Sequence, residues 1–186
     1  ALSHVEIARL YAESDADAVS VLTDRTYFGG DISYVPEVRN IIRQPIFRKD
    51  FIIDPYQIYE TLLASADAFL LMASLLSAAQ LKSFSALGTS LGLESMIEVH
   101  NERELENALK AGAEMIGINN RDLKTLRVDT ATTERLLPLI PREKIVVSES
   151  GIYAPEQVRM FARLGVRGVL VGTAVLKSES LMKKIS

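Results

Sequence analysis

Four stretches of the chain repeat one pattern: a turn of small residues, a charge, then an apolar run. They are Asp15-Ala-Asp17-Ala-Val-Ser-Val, Ser65-Ala-Asp67-Ala-Phe-Leu-Leu, Ala111-Gly-Ala-Glu114-Met-Ile-Gly-Ile and Leu164-Gly-Val-Arg167-Gly-Val-Leu-Val. The charges lie 50, 47 and 53 residues apart (67−17, 114−67, 167−114). One more apolar run falls inside each interval, so one strand-helix unit takes about half that spacing. The runs are continuous rather than alternating. Strands buried on both faces read that way, and helices between them imply a parallel sheet. A (βα)8 barrel of the TIM type shows such a repeat, and a typical one needs roughly 250 residues. Doubly wound sheets have a similar unit, so the repeat by itself leaves both architectures open.

Helical spacing, caps and apolar runs divide the chain further. Helices are expected at Val5–Tyr11, Val35–Ile42, Pro55–Ala64, Ser77–Leu91, Asn101–Ala111, Thr130–Leu139, Pro155–Leu164 and Ser178–Ile185. Ser3 with Glu6, and Asn101 with Glu104, have the spacing of capping boxes. Gly92 and Gly112 suit helix ends. Strands are expected at Ala18–Leu22, along the run Ile46 to Ile53, and at Asp67–Ala73, Glu94–His100, Glu114–Asn119, Lys144–Ser148 and Val166–Gly172. A polar loop is expected from Thr23 to Asp31. That makes seven strands in one domain, 1–186. The eighth strand of a closed barrel would have to precede residue 1. Without it two parallel edges are left unpaired, so the expectation is a fragment of a longer protein, a gap filled by another chain, by self-association for instance, or an open fold.

The chain has 186 residues, a net charge of −3 and no cysteine. The charge gives no reason to expect nucleic acid or an anionic membrane as partner. The lack of cysteine excludes disulfides and thiol catalysis. No apolar run approaches the roughly 20 residues of a membrane span, and the start lacks the pattern of a signal peptide. A cytoplasmic protein is the expectation. The two histidines, His4 and His100, belong to no cluster with ligand spacing, so no metal is expected. There is no Gly-x-Gly-x-x-Gly, Walker loop or Gly-x-Ser-x-Gly elbow, so no nucleotide cofactor is expected.

The residues that could carry chemistry sit where apolar runs end. Lys49 lies in the run from Pro45 to Pro55, Glu98 in Ser95-Met-Ile-Glu-Val99, and Asn119 closes Met115-Ile-Gly-Ile-Asn. Three polar groups at corresponding points of three strands suggest a shared pocket. Lys49 reads as a general acid, because an apolar pocket lowers a lysine's pKa toward neutrality, or as half of an ion pair with Glu98 or Asp50. Glu98 reads as its partner acid or base, on the face of Met96, or as a carboxylate exposed at a strand end. Asn119 reads as a group orienting a substrate oxygen or as a loop cap. Ser148-Glu-Ser-Gly151 and Val171-Gly-Thr173 end the last two strands. There, glycines and hydroxyls often build a phosphate site in barrels. Phe28, Phe47 and Phe51 read as core or as contacts for an aromatic substrate.

Several of these stretches together resemble one family. They are Ser20-Val-Leu-Thr-Asp24 with Tyr27-Phe-Gly-Gly30, Arg48-Lys-Asp-Phe-Ile-Ile-Asp-Pro-Tyr-Gln-Ile58, Ile97-Glu-Val-His100, Ile116-Gly-Ile-Asn-Asn-Arg-Asp-Leu123, Val147-Ser-Glu-Ser-Gly-Ile152 and Leu170-Val-Gly-Thr173. The chain resembles indole-3-glycerol phosphate synthase over essentially its whole length. The resemblance implies a (βα)8 barrel and a carboxy-lyase of tryptophan biosynthesis. Such an enzyme takes a phosphorylated small molecule, 1-(2-carboxyphenylamino)-1-deoxyribulose 5-phosphate, to indole-3-glycerol phosphate without a cofactor. It implies Lys49 as general acid in ring closure, Glu98 as base or electrostatic stabiliser, and Asn119 as the residue that orients substrate. It implies Ser150, Gly151, Gly172 and Thr173 as phosphate-binding positions, and Phe51, Arg121 and Glu149 as further substrate contacts. A phosphoribosylanthranilate isomerase-like barrel is the alternative enzyme, and the Lys49/Glu98/Asn119 set and the lack of cysteine argue against it. The family pattern also has a helical extension and a first strand with Glu-x-Lys and Ser-Pro-Ser. Neither is in this sequence, an expectation that counts against activity of the sequence as written and leaves a non-catalytic, self-associating barrel fragment as a rival.

Overall fold

A computed structural model describes residues 2–172. Seven strands follow one another in chain order: β1 (Val19–Leu22), β2 (Ile46–Lys49), β3 (Ala68–Met72), β4 (Glu94–Val99), β5 (Met115–Asn119), β6 (Ile145–Glu149) and β7 (Gly168–Leu170). Each pairing resolved between them is parallel. The helices are α1 (His4–Ala12), α2 (Arg25–Phe28), α3 (Tyr34–Arg39), α4 (Tyr56–Leu63), α5 (Ala78–Ser90), α6 (Glu102–Lys110), α7 (Ala131–Leu136) and α8 (Pro155–Leu164). The alternation expected from the repeat is therefore the alternation found. Among the described residues, no helix is long and apolar enough to cross a membrane.

The chain divides into two compact units, Ala1–Leu71 with Ser83–Ser95, and Met72–Lys82 with Met96 onward. In the first unit, α1 starts at a complete Ser3/Glu6 capping box and buries Ala8. Ala8 packs with Val19 and Val21 of β1, Val35 and Val38 of α3, and Ile46 of β2. The repeated charge has a visible use here. The Asp67 carboxylate accepts the Ile46 backbone N–H (2.7 Å) and binds the Arg39 guanidinium, so it caps the start of the neighbouring strand. Phe69 is fully buried, which stabilises by about 1.5–3 kcal/mol. Gly88 of α5 makes room for its ring, because a Cβ there would lie 2.5 Å from it.

In the second unit, Asn101 caps α6 by accepting the Glu104 N–H (3.0 Å), as its spacing predicts. The charge Glu114 pairs with Lys144 (3.0 Å) across the entrances of β5 and β6. Behind the last strands, Ile152, Phe161 of α8 and Val166 form a small apolar cluster.

Four expectations differ from the structure. The loop Thr23–Asp31 contains a short helix, α2, because the Asp24 carboxylate caps it by accepting from Tyr27 N (2.6 Å) and Phe28 N (3.1 Å). Strand β2 stops at Lys49. The N–H groups of Phe51 and Ile53 turn instead to the side chains of Asp50 and Gln57, both at 2.8 Å. The helix expected over Thr130–Leu139 is α7 followed by a 3-10 turn, Leu137–Leu139, where Pro138 interrupts the α-helical ladder. Burial on both faces holds through β3, β4 and β5, but β1 alternates, with Val19 and Val21 buried and Ser20 and Leu22 exposed. The expected helix Ser178–Ile185 lies outside the described residues.

Candidate active site

In the first unit the chemistry gathers at the end of β2. Successive strand residues point to opposite faces, so Arg48 and Lys49 part company there. Arg48 lies on the α4 side and is the deeply buried charge of this run, 3% exposed, whereas Lys49 is half-buried. A buried guanidinium is tolerated only with its donors satisfied. Arg48 donates to Thr23 Oγ1 (3.0 Å), Gln57 O (2.7 Å), Thr61 Oγ1 (3.0 Å) and Asp50 Oδ2 (2.9 Å), with Glu60 at 3.5 Å. Thr23 Oγ1 donates to the same Asp50 oxygen (2.5 Å). The cluster ties the β1 end, the β2 end and α4 together and fixes the backbone that carries Lys49 and Phe51. Lys49 is on the opposite face, with Phe47 two residues back. Phe51 meets two exposed aromatics of α2: Tyr27 edge-on at 5.6 Å and Phe28 stacked at 6.1 Å. A shallow groove of about 290 Å³, lined by Ile32, Ser33, Pro36, Glu60, Leu63 and Ala64, holds none of the candidate residues.

In the second unit the register of β4, β5 and β6 builds a polar face. Glu98 pairs with Gly117, and Asn119 pairs with Glu149. Partners in register share a face, so Glu98, Asn119 and Glu149 project from one side of these strands. Met96 shares that side, since its thioether would meet a Cβ built on Gly117. Gly117 is needed because the same Cβ would come within 2.3 Å of Glu149 Oε1. All three polar residues are at least 95% buried. Lys49, Glu98 and Glu149 each have an interaction partner, so none is a free charge.

Asn119 Oδ1 accepts from Arg121 N (3.0 Å) and Ser150 Oγ (2.8 Å). Its oxygen is thereby occupied by two donors. Arg121 opens a small hairpin that closes at Val128, and its guanidinium donates to Leu126 O (3.3 Å). Ser150 and Gly151 follow β6 with φ of 66° and 78°. Ser150 is thus strained. Gly151 is required, because a Cβ would also sit 2.6 Å from Val128 Cγ1. Gly172 is exposed at the end of the described chain, and Thr173 lies outside it.

Three features were absent from the sequence reading. The first is a buried network behind the polar face. Asn120 Nδ2 donates to Glu149 O and Ser150 O (both 3.0 Å), its Oδ1 accepts from Thr133 N (3.1 Å) and Oγ1 (2.9 Å), and Thr133 meets Ser148 Oγ at 2.8 Å. The second is a pair of glutamine clamps, Gln57 and Gln157, recognisable in retrospect from the shared pattern Ile-x-x-Pro-x-Gln. The third is His100. Its Nδ1 lies 2.9 Å from Glu104 Oε2, and its Nε2 lies 3.3 Å from Glu98 Oε1, close enough for an ion pair but outside good hydrogen-bond geometry. Burial opposes charging the ring, yet the carboxylates of Glu104 and Glu98 outweigh it and raise the His100 pKa to about 9. The spacings Glu98-x-His100 on a strand and His100 to Glu104 at a helix start were the signals.

The fold is that of TIM-barrel enzymes. It matches 3-hexulose-6-phosphate synthase from Salmonella typhimurium with a TM-score of 0.83 at 15% identity, covering 99% of this chain and 92% of that one. It also matches 3-keto-L-gulonate-6-phosphate decarboxylase from Vibrio cholerae with a TM-score of 0.71 at 15% identity, covering 91% and 83%. Sequence narrows the class to one family. A family model for indole-3-glycerol phosphate synthase matches residues 1–186. The enzyme of that name from Caldanaerobacter subterraneus is 51% identical over 175 residues, 94% of this chain and 68% of that protein. The one from Acetivibrio thermocellus is 49% identical over 181 residues, 97% of this chain and 70% of that protein. The chain belongs to the indole-3-glycerol phosphate synthase family, a family of carboxy-lyases.

Proposed function

We propose that this chain converts 1-(2-carboxyphenylamino)-1-deoxyribulose 5-phosphate to indole-3-glycerol phosphate, and that the residues singled out above divide the work. Ring closure joins an aromatic carbon to the ketone carbon, whose oxygen takes a proton. Lys49 is the donor. The carboxyl carbon leaves as carbon dioxide and the new hydroxyl leaves as water, so the balance is substrate to indole-3-glycerol phosphate, carbon dioxide and water. Both losses are redox-neutral. Glu98 stabilises the cationic ring system that precedes decarboxylation, then takes the proton lost from the methylene carbon as the pyrrole ring forms and returns it to the departing hydroxyl. Asn119 offers Nδ2 to a substrate oxygen. Glu149 and Arg121 complete the polar contacts, and Phe51 packs on the anthranilate ring. Ser150 and Gly151, with Gly172 and Thr173, hold the phosphate. Anchoring that remote group converts binding energy into alignment of the reacting carbons, an effect worth several kcal/mol.

One observation carries this reading: Glu98, Asn119 and Glu149 share a buried face that runs directly into the left-handed Ser150-Gly151 turn. Burying two carboxylates and an amide at strand ends is costly for stability alone, and strand C-terminal ends are where barrel enzymes work. The test is fluorescence detection of indole-3-glycerol phosphate. With the family's helical extension and first strand added ahead of this sequence, product should form, and Lys49→Ala should then lower kcat by about 10²–10⁴-fold, the usual contribution of a general acid. Full activity of that variant would remove Lys49 from the mechanism. Residues 1–186 are further proposed to unfold as one domain, which two separate calorimetric transitions would contradict.

A further inference from the structure

We propose that His100 is a positioning residue that holds the Glu98 carboxylate in place as an anion for the reaction. The inference rests on the catalytic role of Glu98 proposed above. It starts from hydrogen-bond accounting. Glu104 Oε2 accepts from the His100 backbone N–H (2.9 Å) and lies 2.9 Å from Nδ1. Glu104 Oε1 accepts from Asn101 Nδ2 (2.8 Å). Burial opposes ionisation of Glu104, but the donors on both oxygens outweigh it and lower its pKa, so the group is a carboxylate and Nδ1 carries a hydrogen and donates it. That leaves Nε2 facing Glu98 Oε1 at 3.3 Å. A bare Nε2 would set lone pair against lone pair beside a carboxylate that is 1% exposed. A protonated Nε2 turns the contact into attraction and compensates the buried anion.

The clamp is also anchored. Asn101 caps α6 by accepting the Glu104 N–H, and Glu104 sits in the first turn, where the helix dipole favours an anion. Order therefore passes from the α6 cap to Glu104, to His100 and to Glu98. Among the described residues, the charged groups seen against the imidazole are Glu98 on its own strand, Glu104 on α6 and, at longer range, Asp122 in the loop after β5. All are acidic and all favour the charged ring, in accord with its raised pKa.

The test compares pH profiles of kcat and kcat/KM for the full chain and for His100→Gln, Glu104→Gln and Glu98→Gln. Loss of the imidazolium should move the acid limb up by about one unit, a tenfold change in the Glu98 proton equilibrium. Neutral-pH kcat should fall by roughly tenfold while KM changes little, as expected when a transition-state contact is loosened. Glu104→Gln should move the limb the same way by less. An acid limb that stays put in both variants, with Glu98→Gln inactive, would overturn the positioning role and leave the Glu98 reading intact. Full activity of Glu98→Gln would overturn the Glu98 reading itself. An NMR titration of the His100 ring in the unaltered chain needs no variant to fold. Protonation persisting past pH 8 supports the clamp, and a midpoint near 6.5 overturns it.

Discussion

The loops that follow β2 and β6 are built on the same frame and carry different chemistry. Gln57 donates from Nε2 to Phe51 O (3.1 Å) and accepts at Oε1 from the N–H groups of Ile53 (2.8 Å) and Asp54 (3.1 Å). Gln157, 100 residues on, donates to Gly151 O (3.1 Å) and accepts from Tyr153 N (2.8 Å) and Ala154 N (3.1 Å). In each, a buried isoleucine (Ile52 or Ile152) pins the loop, and a proline starts the next helix. The residues just before the clamp differ at every position. Arg48-Lys49-Asp50-Phe51 brings a caged guanidinium, an amine and an aromatic ring. Ser148-Glu149-Ser150-Gly151 brings hydroxyls, a carboxylate and two left-handed residues. The lesson is that a glutamine in the first turn of a helix can fix a loop backbone through three hydrogen bonds. The strand end is then free to differ, and the proposed roles are an acid–base site at β2 and an anion site at β6.

That contrast can be broken at several points. Arg48→Met should cost the most, about 3–5 kcal/mol, because it strands Asp50 and the Gln57 carbonyl without their cation. Chemical denaturation measures it, and the matching Ser148→Ala should cost only about 1–2 kcal/mol. The pH response should separate the loops next. The Arg48 cluster keeps its cation at any ordinary pH. His100 in the second unit has a folded-state pKa raised from 6.5 to about 9. Its contribution is therefore complete below about pH 6.5 and lost as pH rises through about 9, on the order of a few kcal/mol. Melting temperature should fall over that window in the unaltered chain and fall less in His100→Gln. Gly151→Ala should destabilise by roughly 1–3 kcal/mol, from its positive φ and the contact with Val128. Smallest are the clamps themselves. Gln57→Ala and Gln157→Ala should each cost about 1 kcal/mol, the first lowering kcat and the second raising KM. Equal effects of both on the same kinetic parameter would show that the loops do not divide the work.

Much of this was legible in the chain and some was not, for physical reasons. Ser3/Glu6 and Asn101/Glu104 could be read because a cap is a local contact between near neighbours in sequence. The strands could be read because burial on two faces leaves an unbroken apolar run. The buried charge of the β2 run was the part that misled. Lys49 reads as the cation of an apolar pocket, yet Arg48 is the one enclosed, and the Thr23, Gln57 and Thr61 groups that satisfy it come from other turns of the chain. Gln57 and Gln157 look like ordinary helix-surface residues until the loop backbone they hold is seen. His100 was set aside for want of metal-ligand spacing, although its carboxylate neighbours two residues before and four after already pointed to an ion pair. Asn120 follows Asn119 in the chain, and nothing in the sequence separates their uses. The pleat sends the two side chains to opposite faces, one to the polar site and one to the buried network behind it.

The division between an acid at β2 and an anion site at β6 is tested most directly by measuring kcat and KM for Lys49→Ala and Gly151→Ala in one fluorescence assay of indole-3-glycerol phosphate formation. The account predicts that Lys49→Ala loses about 10²–10⁴-fold in kcat with KM little changed, and that Gly151→Ala raises KM with a far smaller loss in kcat. Full turnover by Lys49→Ala, or a loss confined to kcat in Gly151→Ala, would contradict it.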